Sequence, residues 1–141
     1  MSKRERTLLQ QIGRTSRAMY AAFESEVGQP LPQWRILQVL REQPGATQKV
    51  IADTLAMDPG ALTRQMKILE AKGLITRHSA REDNRLTNVN LTPAGARLVE
   101  SLQPLRRAFL QKALKGLPAE KLDAVMSVLE TLEERFRLMH S

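Results

Sequence analysis

TQKVIADTLAMDPGALTRQMKILEAKGLITRHSAREDNR, residues 47–85, is the stretch that decides the fold. Thr47 offers a side-chain oxygen that caps a helix, and Val50, Ile51 and Leu55 space an apolar face along a short one. A turn at Ala56 and Met57 follows. Asp58 and Pro59 then supply a second cap and a first-turn proline, and a polar helix runs to Lys72 before Gly73 stops it. Leu74 to His78 and Leu86 to Leu91 read as strands, because Thr87, Val89 and Leu91 alternate with Asn88 and Asn90. Helix, turn, helix and hairpin in this order predict a winged helix-turn-helix with a two-stranded wing. The hairpin carries Arg81 and Arg85 beyond the apolar interior, where an anionic partner meets them, so the expectation is a protein that binds double-stranded DNA.

At about 100° per residue, Leu62, Met66 and Leu69 fall on one side of the second helix and are expected to face Ile51 and Leu55. The opposite arc carries Gly60, Thr63, Arg64 and Lys67. Gly60 permits close backbone approach, Thr63 offers a hydroxyl or methyl group to a base edge, and Arg64 either donates twice to guanine or clamps a phosphate. The plainer alternative is a solvated basic face. In the wing, an acidic pair at a DNA-facing tip is unfavourable unless its charges turn inward, so Asp83 is expected to orient an arginine. Arg85 is then the minor-groove or phosphate residue.

Outside this stretch the chain is helical. Leu8, Ile12, Met19 and Phe23 recur at helical spacing from Arg4 to Val27, with Arg14 and Arg17 interleaved. A second helix begins near Pro32 and runs through Trp34, Leu37 and Leu40 to the Gln43-Pro44-Gly45 stop; apolar residues on nearly every side predict that it is buried. Thr92-Pro93 restarts a helix marked by Leu98, Leu102, Leu105 and Phe109, and Pro104 removes one backbone donor within it and is expected to kink it. After Gly116-Leu117-Pro118, a stripe of Leu122, Val125, Met126, Leu129, Leu132 and Phe136 needs something to pack against. The economical solution is a helical core shared by two copies of the chain. The expected organisation is a dimerisation helix over residues 1–31, the winged DNA-binding region over 32–92 and dimerisation helices over 93–141, integrated in one mainly α domain.

A chain of 141 residues suits one such folded unit, and 22 Lys plus Arg against 15 Asp plus Glu leave a net charge of +7 that favours a polyanion. No apolar run approaches the roughly 20 residues of a membrane span, and MSKRERTLLQQIGR lacks a secretory stretch, so a cytoplasmic protein with no membrane partner is expected. The cysteine count is 0, which excludes disulfides, thiolate metal sites and thiol-based redox sensing. His78 and His140 have no histidine partner at helical spacing, and no metal site is expected. No phosphate cradle, nucleophile elbow or catalytic grouping is present, so no enzyme is expected. A nonspecific architectural DNA-binding protein would share the charge and the wing, but would not need the shaped reader face.

The run TQKVIADTLAMDPGALTRQMKILEAKGLITR, the DNR of the wing and VNLTPAGARL together resemble the MarR family of bacterial winged helix-turn-helix transcription regulators over nearly the whole chain. Asn84 stands where many relatives have arginine, which bears on how strongly the wing tip grips. The resemblance implies a homodimer held by the first and last helices, with the helix from Pro59 to Lys72 in the major groove. Arg85 matches the wing arginine and Asp83 the acidic residue that braces the wing. It also implies a repressor that occupies a palindromic operator until an effector alters the dimer. The effector class is a small aromatic carboxylate or phenol, with no other cofactor, and Arg14, Arg17, Met19, Tyr20, Phe23 and Trp34 are the residues that would form its slot. Without an effector, Met19, Phe23 and Trp34 read as ordinary core.

Overall fold

The computed structural model describes residues 2–80 and 83–140, leaving aside the side chains of 80 and 83–85. Its elements are α1 (Lys3–Val27), α2 (Leu31–Glu42), α3 (Gln48–Leu55), α4 (Pro59–Ala71), β1 (Ile75–Ala80), β2 (Asp83–Leu91), α5 (Pro93–Leu114) and α6 (Ala119–His140). The helix starts follow from the caps. Thr47 Oγ1 accepts the Val50 N–H at 3.1 Å, and Asp58 Oδ2 accepts the Ala61 N–H at 3.0 Å, each satisfying a donor that the first helical turn leaves free. Between them Ala56 turns the chain at φ 51, a left-handed conformation unusual for a residue with a Cβ, and the Met57 N–H reaches Ala52 O at 2.9 Å.

The wing is an antiparallel pair with Ile75 opposite Leu91, Arg77 opposite Val89 and His78 opposite Asn88, and its register shifts between His78 and Ala80. It is longer than the apolar alternation predicts. Backbone pairing continues past the alternating residues, and Ser79 and Thr87 join hydroxyls across it at 3.2 Å. β1 starts one residue later than expected because Leu74 closes the capping turn that follows α4: its N–H bonds Leu69 O at 3.0 Å. The segment before α3 lies along β2 as well. Thr47 bridges Asn88, the Val89 N–H bonds Ala46 O at 2.9 Å, and Asn88 Nδ2 donates to Gly45 O at 2.7 Å.

By internal packing the chain divides into two compact units, residues 1–109 and 110–141, with the boundary inside α5. In the first unit, Ile36, Leu37, Leu40, Ile51, Leu62, Met66, Leu69, Ile75, Val89 and Val99 form a buried core, with Leu55 packed at its edge. α4 thus buries the three residues its periodicity indicated. A second cluster joins Phe23, Val27, Leu31, Trp34 and Leu102, with Phe109 against it. α2 is largely buried as expected, but it also buries Gln33, whose Oε1 accepts from Lys72 Nζ at 2.8 Å. That bond satisfies an amide that would otherwise be costly to enclose.

α5 enters this unit through Thr92. Its Oγ1 accepts the Gly95 N–H at 3.0 Å and donates to Gly73 O at 2.6 Å, while the Thr92 N–H bonds Leu74 O at 3.0 Å. Gly95 therefore lies directly over the Leu74 carbonyl, and a Cβ there would collide with that oxygen. α5 is one helix through Pro104. The second unit holds the end of α5, the turn at Gly116 with φ 78, and α6. α6 buries none of its residues, leaving Val125 at 55% and Met126 at 53% exposure. Among the described residues no helix is long and apolar enough to cross a membrane.

Candidate nucleic-acid interface

α4 turns Leu62, Met66 and Leu69 inward, so its remaining face is presented outward beside β1 and β2. Gly60, in the first turn of that helix, is exposed. A Cβ there would stand 3.1 Å from Asp58 Oδ2, so the missing side chain also leaves the capping carboxylate its room. Thr63 Oγ1 donates to Pro59 O at 3.0 Å, which commits its proton to the helix and leaves the methyl group and the oxygen lone pairs for a partner. Arg64 and Lys67 are exposed, and among the described residues neither has a hydrogen-bond or ion-pair partner. Arg81 and the side chains of Asp83 and Arg85 lie outside the described residues, so the wing part of the expected interface has no geometry here.

A groove of about 350 Å³ runs between α4 and the wing, lined by Gln48, Thr63, Lys67, Glu70, Arg77, Ser79 and Thr87. Four of these, Gln48, Glu70, Arg77 and Ser79, were not singled out by the sequence. Arg77 Nη2 donates to Glu70 Oε1 at 3.0 Å, Nε donates to Glu70 Oε2 at 3.3 Å, and Nη1 reaches Gln48 Oε1 at 3.4 Å. The one sequence signal was a pair of opposite charges seven residues apart on either side of Gly73.

The hydrogen bond from Arg77 holds the Glu70 carboxyl below the usual carboxylate range. Across the unit, the bond from Arg41 does the same to Glu100, at 2.6 Å, and pushes the Arg41 guanidinium up. Both carboxyls are lower in the folded chain than in the unfolded one. They therefore contribute stability above the ordinary carboxylate range, and that contribution disappears as pH falls through their depressed folded values. Both carboxylates, Glu70 and Glu100, are substantially exposed, so the contribution is small. The expected result is a thermal midpoint that declines in acid, with a shallower decline in the variant Glu70→Gln/Glu100→Gln. Identical pH profiles for the two proteins would contradict it.

The six residues considered for an effector separate in the structure. Phe23 and Trp34 are buried together, with ring centroids 5.7 Å apart, and Phe109 stacks edge-on to Phe23 at 5.3 Å. Met19 and Tyr20 are exposed, and Arg35 Nη1 donates to the Tyr20 hydroxyl at 3.4 Å. Arg14 and Arg17 are also exposed, and an Arg17 guanidinium nitrogen lies 3.6 Å from where a Cβ of Gly13 would be. Arg106, which the sequence did not single out, places its guanidinium 4.7 Å from the centre of the Trp34 ring. The Trp34 indole N–H is buried and has no acceptor among the described residues. Among the described residues no cluster of His, Cys, Asp or Glu could hold a metal ion.

A capped helix pair, an outward basic face and an antiparallel wing define a winged helix-turn-helix protein. Residues 30–87 match the MarR family. The organic hydroperoxide resistance transcriptional regulator of Bacillus subtilis is 32% identical over 127 residues, covering 90% of this chain and 85% of that one. The chain belongs to the MarR family, and is a transcriptional regulator rather than an enzyme. Solved structures share the fold, among them the following two. PcaV from Streptomyces coelicolor, in complex with its natural ligand, superposes with a TM-score of 0.79 at 21% identity over 88% of this chain and 89% of that one. A mutant of E. coli MarR in complex with operator DNA has a TM-score of 0.78 at 24% identity over 89% of this chain and 93% of that one.

Proposed function

We propose that this chain is a homodimeric, sequence-specific repressor that acts in the cytoplasm, binds a palindromic operator and releases it in response to a small aromatic carboxylate or phenol. The observation that carries the reading is the outward face of α4, where Arg64 and Lys67 stand exposed and, among the described residues, without protein partners next to the wing. A cation left free beside a groove lowers its energy by meeting phosphate or a base edge. In this reading α4 enters the major groove with Gly60, Thr63, Arg64 and Lys67, while Arg81 and Arg85 contact DNA from the wing and Asp83 braces it. The E. coli relative held on operator DNA supports the same use of the fold.

Residues 1–31 and 93–141 supply the dimer contacts in this reading. Support comes from the apolar residues left in solvent: Leu8 and Leu9 on α1, and Val125, Met126, Val128, Leu129 and Phe136 on α6. Apolar surface repeated along helices in this way marks an association face. The effector would lie near Phe23 and Trp34, with Arg14, Arg17, Met19 and Tyr20 on the same helix as Phe23. There the buried indole N–H lacks an acceptor among the described residues and a guanidinium stands by, features that a carboxylate or phenol oxygen would satisfy. PcaV, a relative in shape, was solved in complex with its natural ligand. The B. subtilis relative is named for organic hydroperoxide resistance, but with a cysteine count of 0 this chain has no thiol for a peroxide to oxidise.

Genomic footprinting with the purified chain, repeated with a panel of small aromatic acids, tests the whole reading. The expected footprints are palindromic, with half-sites separated by about one helical turn, roughly 34 Å, and they weaken with at least one acid. Uniform protection of all DNA would identify an architectural protein instead, and single asymmetric sites would remove the two-fold dimer.

A further inference from the structure

The connection between α4 and the wing runs through a side chain that the DNA-facing set does not include. Arg77 sits on β1 opposite Val89, and its side chain is only 20% exposed. Its guanidinium takes both carboxylate oxygens of Glu70, in the last turn of α4, and reaches Gln48, the first residue of α3. One planar cation thus ties together the helix before the turn, the reader helix and the first wing strand. A guanidinium suits this task because its donors are held in a rigid fork, so that two partners fix its orientation and it fixes theirs. The pair forms part of the wall of the groove that also holds Thr63 and Lys67. Being internally neutralised, it adds little to the attraction for phosphate.

We propose that Arg77 is a positioning residue for DNA reading: through Glu70 and Gln48 it sets the angle between α4 and the wing, so that both engage the same stretch of duplex in register. This rests on the DNA-reading function proposed above. The basis is geometric. On its inner side α4 packs through the apolar Leu62, Met66 and Leu69, whose packing excludes water but is tolerant of small rotations, and at its C-cap Lys72 bonds Gln33 of α2. The directional bonds from Arg77 remove that tolerance on the side where the groove opens. Without them the reader helix keeps its place in the core while its outward side chains lose their alignment with those of the wing.

The test compares wild type, Glu70→Gln, Arg77→Gln and the charge-swapped double variant Glu70→Arg/Arg77→Glu. Each binds a duplex that the wild-type chain has selected from a random-sequence pool, and a shuffled version of it, over a range of salt. Thermal midpoints are recorded alongside. Glu70→Gln removes an exposed negative charge and should bind the shuffled duplex as well as wild type or better. Its preference for the selected duplex should nevertheless fall about tenfold, the scale of one mismatched base pair. Arg77→Gln should lose preference similarly with an unchanged salt slope, and the swap should recover part of it at unaltered net charge. Two results overturn the proposal: an unchanged preference in both single variants, or a salt slope reduced by about one in Arg77→Gln with preference intact, which marks a plain phosphate contact. If wild type selects no sequence, the DNA-reading function itself fails and the positioning role falls with it, a result read before any variant is compared.

Discussion

Gly95→Ala is expected to lower the stability of the chain by about 3 kcal/mol, the upper part of the range for overpacked sites. The reason is the identity of the obstructing atom. A Cβ at Gly95 would run into the Leu74 carbonyl oxygen and press to 3.3 Å on Leu91 Cδ2. A side chain can rotate away from such a contact, but a carbonyl in a paired segment cannot. Relief requires moving the start of α5 away from the end of α4, which stretches the Thr92 N–H bond to Leu74 O and the Thr92 hydroxyl bond to Gly73 O. Each such bond contributes about 1 kcal/mol net, which exceeds what alanine's better helix propensity returns near a helix start. Urea unfolding at one fixed protein concentration measures the change, concentration being held because association would add to apparent stability. A midpoint equal to that of wild type would show that α5 does not approach Leu74 this closely.

Arg64→Ala is expected to weaken operator binding by about 1 to 3 kcal/mol, some 5- to 150-fold, while leaving the thermal midpoint near that of wild type. The first expectation follows from an exposed guanidinium on the outward face of α4, and the second from its having no partner among the described residues to lose. Salt titration separates its two roles. If Arg64 reads a base edge, its removal narrows the gap between operator and unrelated duplex at every salt concentration. If it holds a phosphate instead, both duplexes bind more weakly and the salt slope falls by about one. Arg85→Ala is expected to follow the phosphate pattern across many sequences. Undiminished operator binding by both variants would remove α4 and the wing from the interface.

Residues that act within a turn or two of themselves were legible. Thr47 and Asp58 cap the helices that follow them, Leu62, Met66 and Leu69 are buried together, and Thr87 and Val89 are buried on β2. Caps and periodicity are local properties, written in the order of the residues. The exposed basic face of α4 was legible for the same reason, since fixing the inward arc fixes the outward one. What escaped were groups brought together by the turn of one element against another. Nothing in the local sequence marks Arg77, Glu70 and Gln48 as partners, since they meet only where β1, α4 and α3 come together. The roles of Asn88, which pins the loop before α3, and Arg106, which lies over Trp34, were hidden likewise.

From sequence alone came the winged helix-turn-helix order, the family resemblance and the division of α4 into a core side and a solvent side, because helical and strand periods and their stop signals need no distant partner to be expressed. Tertiary structure alone decided that Gly95 must be glycine, that Gln33 can be buried because Lys72 meets it across 39 residues of chain, and that Arg77 binds α4 and α3 instead of solvent. These depend on how closely and at what angle separate elements approach. That angle is set by the packing of the whole core.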